Sequence, residues 1–141
     1  MLTIPSSDVR KEWSSVMDTV IREKPVFIKR TRDHMMLSDT GTIWQLISGV
    51  KFIADMYRED DGSVTLSARD MDIAVNGADE AAARKALVRD ITEYAEEYYQ
   101  DFERYSAAPN RQGHLPYVIK ALVARSPEEL EGEVVCRTGK T

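Results

Sequence analysis

One cysteine, Cys136, is all that the 141 residues contain, which excludes an internal disulfide and suits a reducing compartment. The two histidines, His34 and His114, lie far from each other and from Cys136, so no zinc-ligand spacing is present and no metal or other cofactor is expected. No apolar run approaches the roughly 20 residues that a membrane span requires. The opening "MLTIPSSDVRKEW" lacks the basic stretch and apolar core of a secretory leader, so a cytoplasmic protein without a membrane partner is expected. The closing "TGKT" falls short of a phosphate-binding loop, because Val134 stands where the first glycine belongs and no helix follows Thr141. "REDDG" falls short of a calcium loop, because Tyr57 would take the first ligand position and no closing Glu follows. Neither histidine is accompanied by a recognisable nucleophile signature, so the chain is not expected to be an enzyme. Glu93, Glu96, Glu97 and Glu103 flank an apolar helical stripe and are read as a solvated face rather than acid/base pairs.

What is present is an ordinary globular balance, 43% hydrophobic and 30% charged, with a net charge of −5 that is unevenly spread. Residues 1 to 49 hold seven Lys/Arg against six Asp/Glu, and residues 50 to 141 hold twelve against eighteen. A near-neutral front carrying local basic clusters and an acidic back point to two different partners.

Leu2 to Ile4 predicts a short strand, ended by Pro5, with Ser6 or Ser7 capping a helix from Asp8 to about Arg22. Val9, Trp13, Val16, Met17, Val20 and Ile21 recur at spacings that give that helix one apolar face. Lys24-Pro25 stops it. "VFIKR", "TRD" and "HMMLS" then read as strand, turn and strand, followed by a helix "TIWQLIS" capped by Asp39 or Thr40 and ended by Gly49. From residue 50 a strand, a hairpin turn at Asp60-Asp61-Gly62, two further strands and a long helix from Glu80 to about Tyr105 are predicted. A loop, a helix opening at Pro116, a helical turn in "SPEELEG" and a strand "EVVCR" follow, and the tail is read as frayed. The fold class is α+β, a small α/β unit over residues 1–49 joined to a βββα domain with C-terminal helices over residues 50–141.

Residues 3–48, "TIPSSDVRKEWSSVMDTVIREKPVFIKRTRDHMMLSDTGTIWQLI", resemble the N-terminal unit of Phd/YefM antitoxins, with Ile4, Ser6, Arg10, Val16, Val20, Pro25, Ile28, Arg30 and Leu37 at matching positions. The turn departs from that pattern, with Arg32-Asp33 where Arg-Gly or Lys-Gly is usual. Residues 52–103 are similar to the HicB-type antitoxin domain, without its frequent proline before the third strand. Both resemblances imply an antitoxin of a type II toxin–antitoxin system that neutralises an mRNA-cleaving, RelE-like toxin and represses its own operon. The implied partners are the toxin, operator DNA and further copies of the chain, as a homodimer or higher homo-oligomer. A transcription regulator or protein-binding module without a toxin is the alternative.

On this reading Ser6, Ser7, Arg10, Lys11, Lys29, Arg30 and Arg32 are the expected DNA contacts, supplying hydroxyls and cations to phosphate. Aromatic anchors rimmed by acids suit a tight interface with a basic toxin. Tyr98, Tyr99, Phe102, Tyr117 and Leu122 are therefore the expected toxin contacts.

Overall fold

The structure, a computed structural model, describes residues 2–139, so Lys140 and Thr141 of the tail read as frayed lie outside it. The chain divides into two compact units, with the division after Leu46.

In the first unit, β1 (Ile4–Pro5) runs parallel to β2 (Val26–Arg30), which pairs antiparallel with β3 (Asp33–Leu37). Pro5 is accommodated because β1 is an edge strand and needs no second ladder donor. Two helices, α1 (Ser6–Lys11) and α2 (Trp13–Arg22), replace the single predicted helix. They are separated at Glu12 (φ −108°, ψ 32°), although Glu12 N–H donates to Asp8 O and Val16 N–H to Glu12 O, both at 2.9 Å. The serine cap is not formed: Pro5 occupies the capping position and no side chain bonds there. Val9, Val16, Val20 and Val26 form the core, with Met17, Ile28 and Leu37 packed against it. Trp13 and Ile21, expected on the buried face, are 54% and 67% exposed. The β2–β3 hairpin turns at Thr31, which adopts φ 56°. In α3 (Thr40–Leu46), Thr42 N–H donates to Asp39 Oδ1 at 2.8 Å, the predicted cap, but the helix ends before Gly49.

The second unit is a four-stranded sheet in the order β6-β5-β4-β7, built from β4 (Phe52–Arg58), β5 (Val64–Ala68), β6 (Ile73–Gly77) and β7 (Val134–Thr138). β4, β5 and β6 form an antiparallel meander with Gly62 (φ 87°) at the first turn. The last strand returns parallel to β4, placing Phe52 opposite Val134 and Met56 opposite Thr138. Alternate residues face inward: Phe52 and Ala54 on β4, and Val64, Leu66 and Ala68 on β5, are all buried. Against them lies α4 (Glu80–Gln100), capped by Asp79 Oδ1 accepting from Ala82 N–H at 2.8 Å. Its buried row is Ala83, Leu87, Ile91, Ala95 and Tyr98.

The predicted helix to Tyr105 is broken at Asp101 (φ −123°, ψ 49°), and α5 (Phe102–Ala107) follows. Seven residues along a straight helix cover roughly 10.5 Å, yet the Tyr98 and Tyr105 rings lie 5.4 Å apart because the chain turns between them. A short 3-10 turn (Gln112–His114), α6 (Leu115–Val123) and α7 (Pro127–Glu131) complete the unit. Ser126 Oγ caps α7 by accepting from Glu129 N–H at 3.1 Å.

Candidate nucleic-acid and partner-binding surfaces

Strand pairing assembles the basic surface of the first unit. Because β1 lies parallel to β2 with Pro5 opposite Lys29, the start of α1 at Ser6 is set beside the basic end of β2. Segments more than twenty residues apart in sequence thus meet along one strand pair. Lys29 and Arg30 are exposed on β2, Arg32 is exposed in the hairpin, and Arg10 and Lys11 are exposed in the last turn of α1. A six-residue helix is roughly 9 Å long, and α1 packs against β2. None of the five cations forms an ion pair among the described residues. Ser7 is exposed and Ser6 half-buried. Asp8, Glu12 and Asp33 lie among the cations in sequence, so the surface is mixed in sign.

The predicted partner contacts separate on folding. Tyr98 is fully buried and belongs to the core, because it continues the inward row of α4 three residues beyond Ala95. Its ring stands 6.1 Å from Tyr94 and 5.5 Å from Phe102, so it supports the surface from below instead of meeting a partner. Tyr117 is half-buried and packs 5.8 Å from Phe52. Tyr99, Phe102 and Leu122 remain exposed, at 65%, 41% and 37%. Glu93, Glu96, Glu97, Asp101 and Glu103 are exposed too, so Tyr99 and Phe102 lie within an acidic stretch of the chain.

Under the α4–α5 corner, the Tyr94 hydroxyl and His114 Nδ1 lie 2.6 Å apart, and the Arg111 guanidinium stacks 4.7 Å from the Tyr105 ring and 5.4 Å from Tyr94. Burial pulls the His114 pKa below its ordinary value, aided by Arg111 and opposed by Asp72 and Asp70.

Two charged residues that escaped the sequence reading hold this unit together. Lys120 is fully buried on α6, where its ammonium donates to the carbonyls of Val50 and Ile47 and lies 3.4 Å from Glu133. Burial lowers its pKa, and the Glu133 charge works in the opposite direction. A lone cation within "PYVIKALV" was the available signal, since such a charge is buried only when paired. Arg84 Nη2 donates to the carbonyls of Glu131 at 3.2 Å and Val134 at 3.1 Å, and Nη1 to Cys136 Sγ at 3.0 Å. Nothing local in "EAAARKAL" marks Arg84 apart from other helix-surface cations.

Among the described residues no cluster of His, Cys, Asp and Glu could hold a metal, and no helix is long and apolar enough to cross a membrane. Residues 1–135 match a PHD-like family model described as antitoxin of toxin–antitoxin, RelE/RelB, TA system. The crystal structure of a protein from Syntrophomonas wolfei subsp. wolfei, described as the antitoxin part of a toxin/antitoxin system, superposes with a TM-score of 0.92 at 33% identity. That alignment covers 98% of this chain and 99% of the other. No curated protein matches the chain.

Proposed function

The chain belongs to the PHD-like antitoxin family of toxin–antitoxin systems, and on that premise we propose that its two units divide the work of binding DNA and binding the toxin. The observation that carries the first assignment is the group of five cations, Arg10, Lys11, Lys29, Arg30 and Arg32, that form no ion pair among the described residues, on the smaller unit of an otherwise acidic chain. Cations without intramolecular partners lose no ion pair when they contact phosphate, and each contact releases counterions. The mixed sign of the surface favours a few positioned contacts over diffuse attraction. Ser6 and Ser7 add hydroxyls beside the basic end of β2.

A small unit with a four-valine core also leaves Trp13, Ile21, Phe27 and Leu46 between 46% and 67% exposed. Covering such apolar surface is the driving force for a homodimer, which would duplicate the basic surface and suit a two-fold operator. The unit is read as Phd/YefM-like, and the second as HicB-like.

The toxin falls to the second unit, through Tyr99, Phe102 and Leu122 within an acidic surface, with Tyr117 as a backing residue. An mRNA-cleaving toxin of the RelE type binds a polyanion and so presents a basic face, which acidic side chains around aromatic anchors complement. Repression of the operon and neutralisation of the toxin then take place in the cytoplasm.

Separable variants test the division. The double substitution Arg10→Ala with Lys11→Ala is expected to lower promoter affinity and the salt dependence of binding while growth rescue from the co-expressed toxin persists. Tyr99→Ala with Phe102→Ala is expected to do the reverse. If both pairs impair both activities equally, the division between units is wrong. If the full chain neither shifts its promoter nor rescues growth, the whole reading fails.

A further inference from the structure

Residues 47–51 connect α3, which ends at Leu46, to β4, which starts at Phe52. The division between the two units falls at the start of this joint. A short connection with Gly49 in it is ordinarily where a chain hinges, because few contacts restrain it. This joint is restrained. Val50 N–H donates to Ile47 O at 3.0 Å, which closes the backbone into a turn, and Phe52 N–H donates to Glu133 O at 2.9 Å. The carbonyls of Ile47 and Val50, at the two ends of that turn, both accept from the Lys120 ammonium on α6. The Glu133 carboxylate stands 3.4 Å from the same ammonium and also pairs with the exposed Lys51. Ser48 and Gly49 are exposed at the tip of the turn, so the hold falls on the residues that flank them.

Lys120 is fully buried. An ammonium shielded from water is held to its partners, because losing them leaves a buried charge uncompensated. The bonds to Ile47 and Val50 therefore open only when the joint and α6 separate far enough to admit water. An apolar side chain at this position could fill the same space, but it could not hold two carbonyls of a turn. We propose that Lys120 is a latch that holds the joint on the second unit, and that opening it converts residues 47–51 from a fixed segment into a hinge. The latch acts whatever either unit binds.

The test compares the intact wild-type chain with Lys120→Met, an unbranched replacement that fills the site and removes the donor. Amide exchange followed by NMR reads the joint at Val50 and, for reference, the core of α4 at Leu87 and Ile91. Val50 is expected to exchange at least about tenfold faster in the variant, while Leu87 and Ile91 stay within about threefold of the wild type. Proteinase K is expected to cut the variant first within residues 47–51 and to leave the wild-type joint intact over the same period. Lys51→Met removes the exposed partner of Glu133 but neither carbonyl bond, and is expected to match the wild type within about twofold. If Lys120→Met does not fold, Glu133→Gln reads the same amides. It withdraws the carboxylate charge from the ammonium, and Val50 alone is expected to exchange at least about threefold faster. Unchanged Val50 exchange, or a joint that stays uncut in Lys120→Met, overturns the latch. Equal acceleration at Leu87 and Ile91 overturns it too, because Lys120 then supports the whole unit. So does equal acceleration by Lys51→Met, because the surface pair then holds the joint.

Discussion

Replacing Arg84 with Met should loosen the C-terminal end of the second unit more than any surface substitution on α4. The guanidinium reaches the carbonyls of Glu131 and Val134 at 3.2 and 3.1 Å, and so joins α4 to α7 and β7 at once. A hydrogen bond from a charged donor contributes about 1.5–3 kcal/mol net, so two place the gross loss at about 3–6 kcal/mol. The side chain is 24% exposed, and water admitted by the substitution will recover part of each carbonyl's bonding. The nearby Glu131 carboxylate, at 3.8 Å and 29% exposed, adds at most about 1 kcal/mol. A loss of about 2–3 kcal/mol is therefore expected. For a unit of this size each kcal/mol moves the midpoint by about 4–8 °C, so Tm should fall by at least about 8 °C in calorimetry of the intact chain. Arg84→Lys should recover less than half of the loss, because one ammonium cannot span acceptors that a planar fork reaches together. A shift below about 2 °C for Arg84→Met, or full stability of Arg84→Lys, would refute the assignment of these bonds as a clamp.

Gly77→Ala should destabilise the second unit by about 2 kcal/mol or more, measured by urea unfolding, because the added Cβ would lie 2.8 Å from Cα of Ala83 and closer still to its nitrogen. Thr31→Gly should stabilise the first unit by about 1 kcal/mol, since a β-branched residue at φ 56° is strained; an unchanged or lower Tm would argue against strain at the hairpin. The His114 pKa is depressed by burial, so its contribution is complete above the ordinary histidine pKa of 6.5 and is lost as pH falls through the lower folded value. Stability between pH 7 and 5.5 should thus decline more steeply in the wild type than in His114→Gln, as followed by urea midpoints at each pH.

Local patterns fixed much of this molecule. The apolar run of "VFIKR" and the alternation along "SVTLSA" set their strands, Asp79 and Ser126 set two helix starts by offering oxygens to free amides, and Pro25 separated helix from strand. The basic residues of the first unit were visible as a composition, because exposed charges remain where the chain puts them. The α+β class followed from the order of those elements, and the fold agrees with it. Other features depended on partners distant in sequence. Glu12 interrupts the first helix without a proline or glycine, and Asp101 ends α4 where the apolar pattern continues into Phe102 and Tyr105. Tyr98 and Tyr99 look interchangeable in sequence, yet one is fully buried and the other 65% exposed, since a step of one residue turns a helix by about 100°. "EVVCR" carries the signal of a strand but not its place beside β4, because pairing is chosen by register across the whole chain. The buried Lys120 and the clamping Arg84 take their meaning from carbonyls tens of residues away. Sequence determined what forms locally, where each residue's own backbone and near neighbours decide the energy. Tertiary structure alone decided which side chains share a surface, because burial and charge pairing depend on groups that only the folded chain brings together.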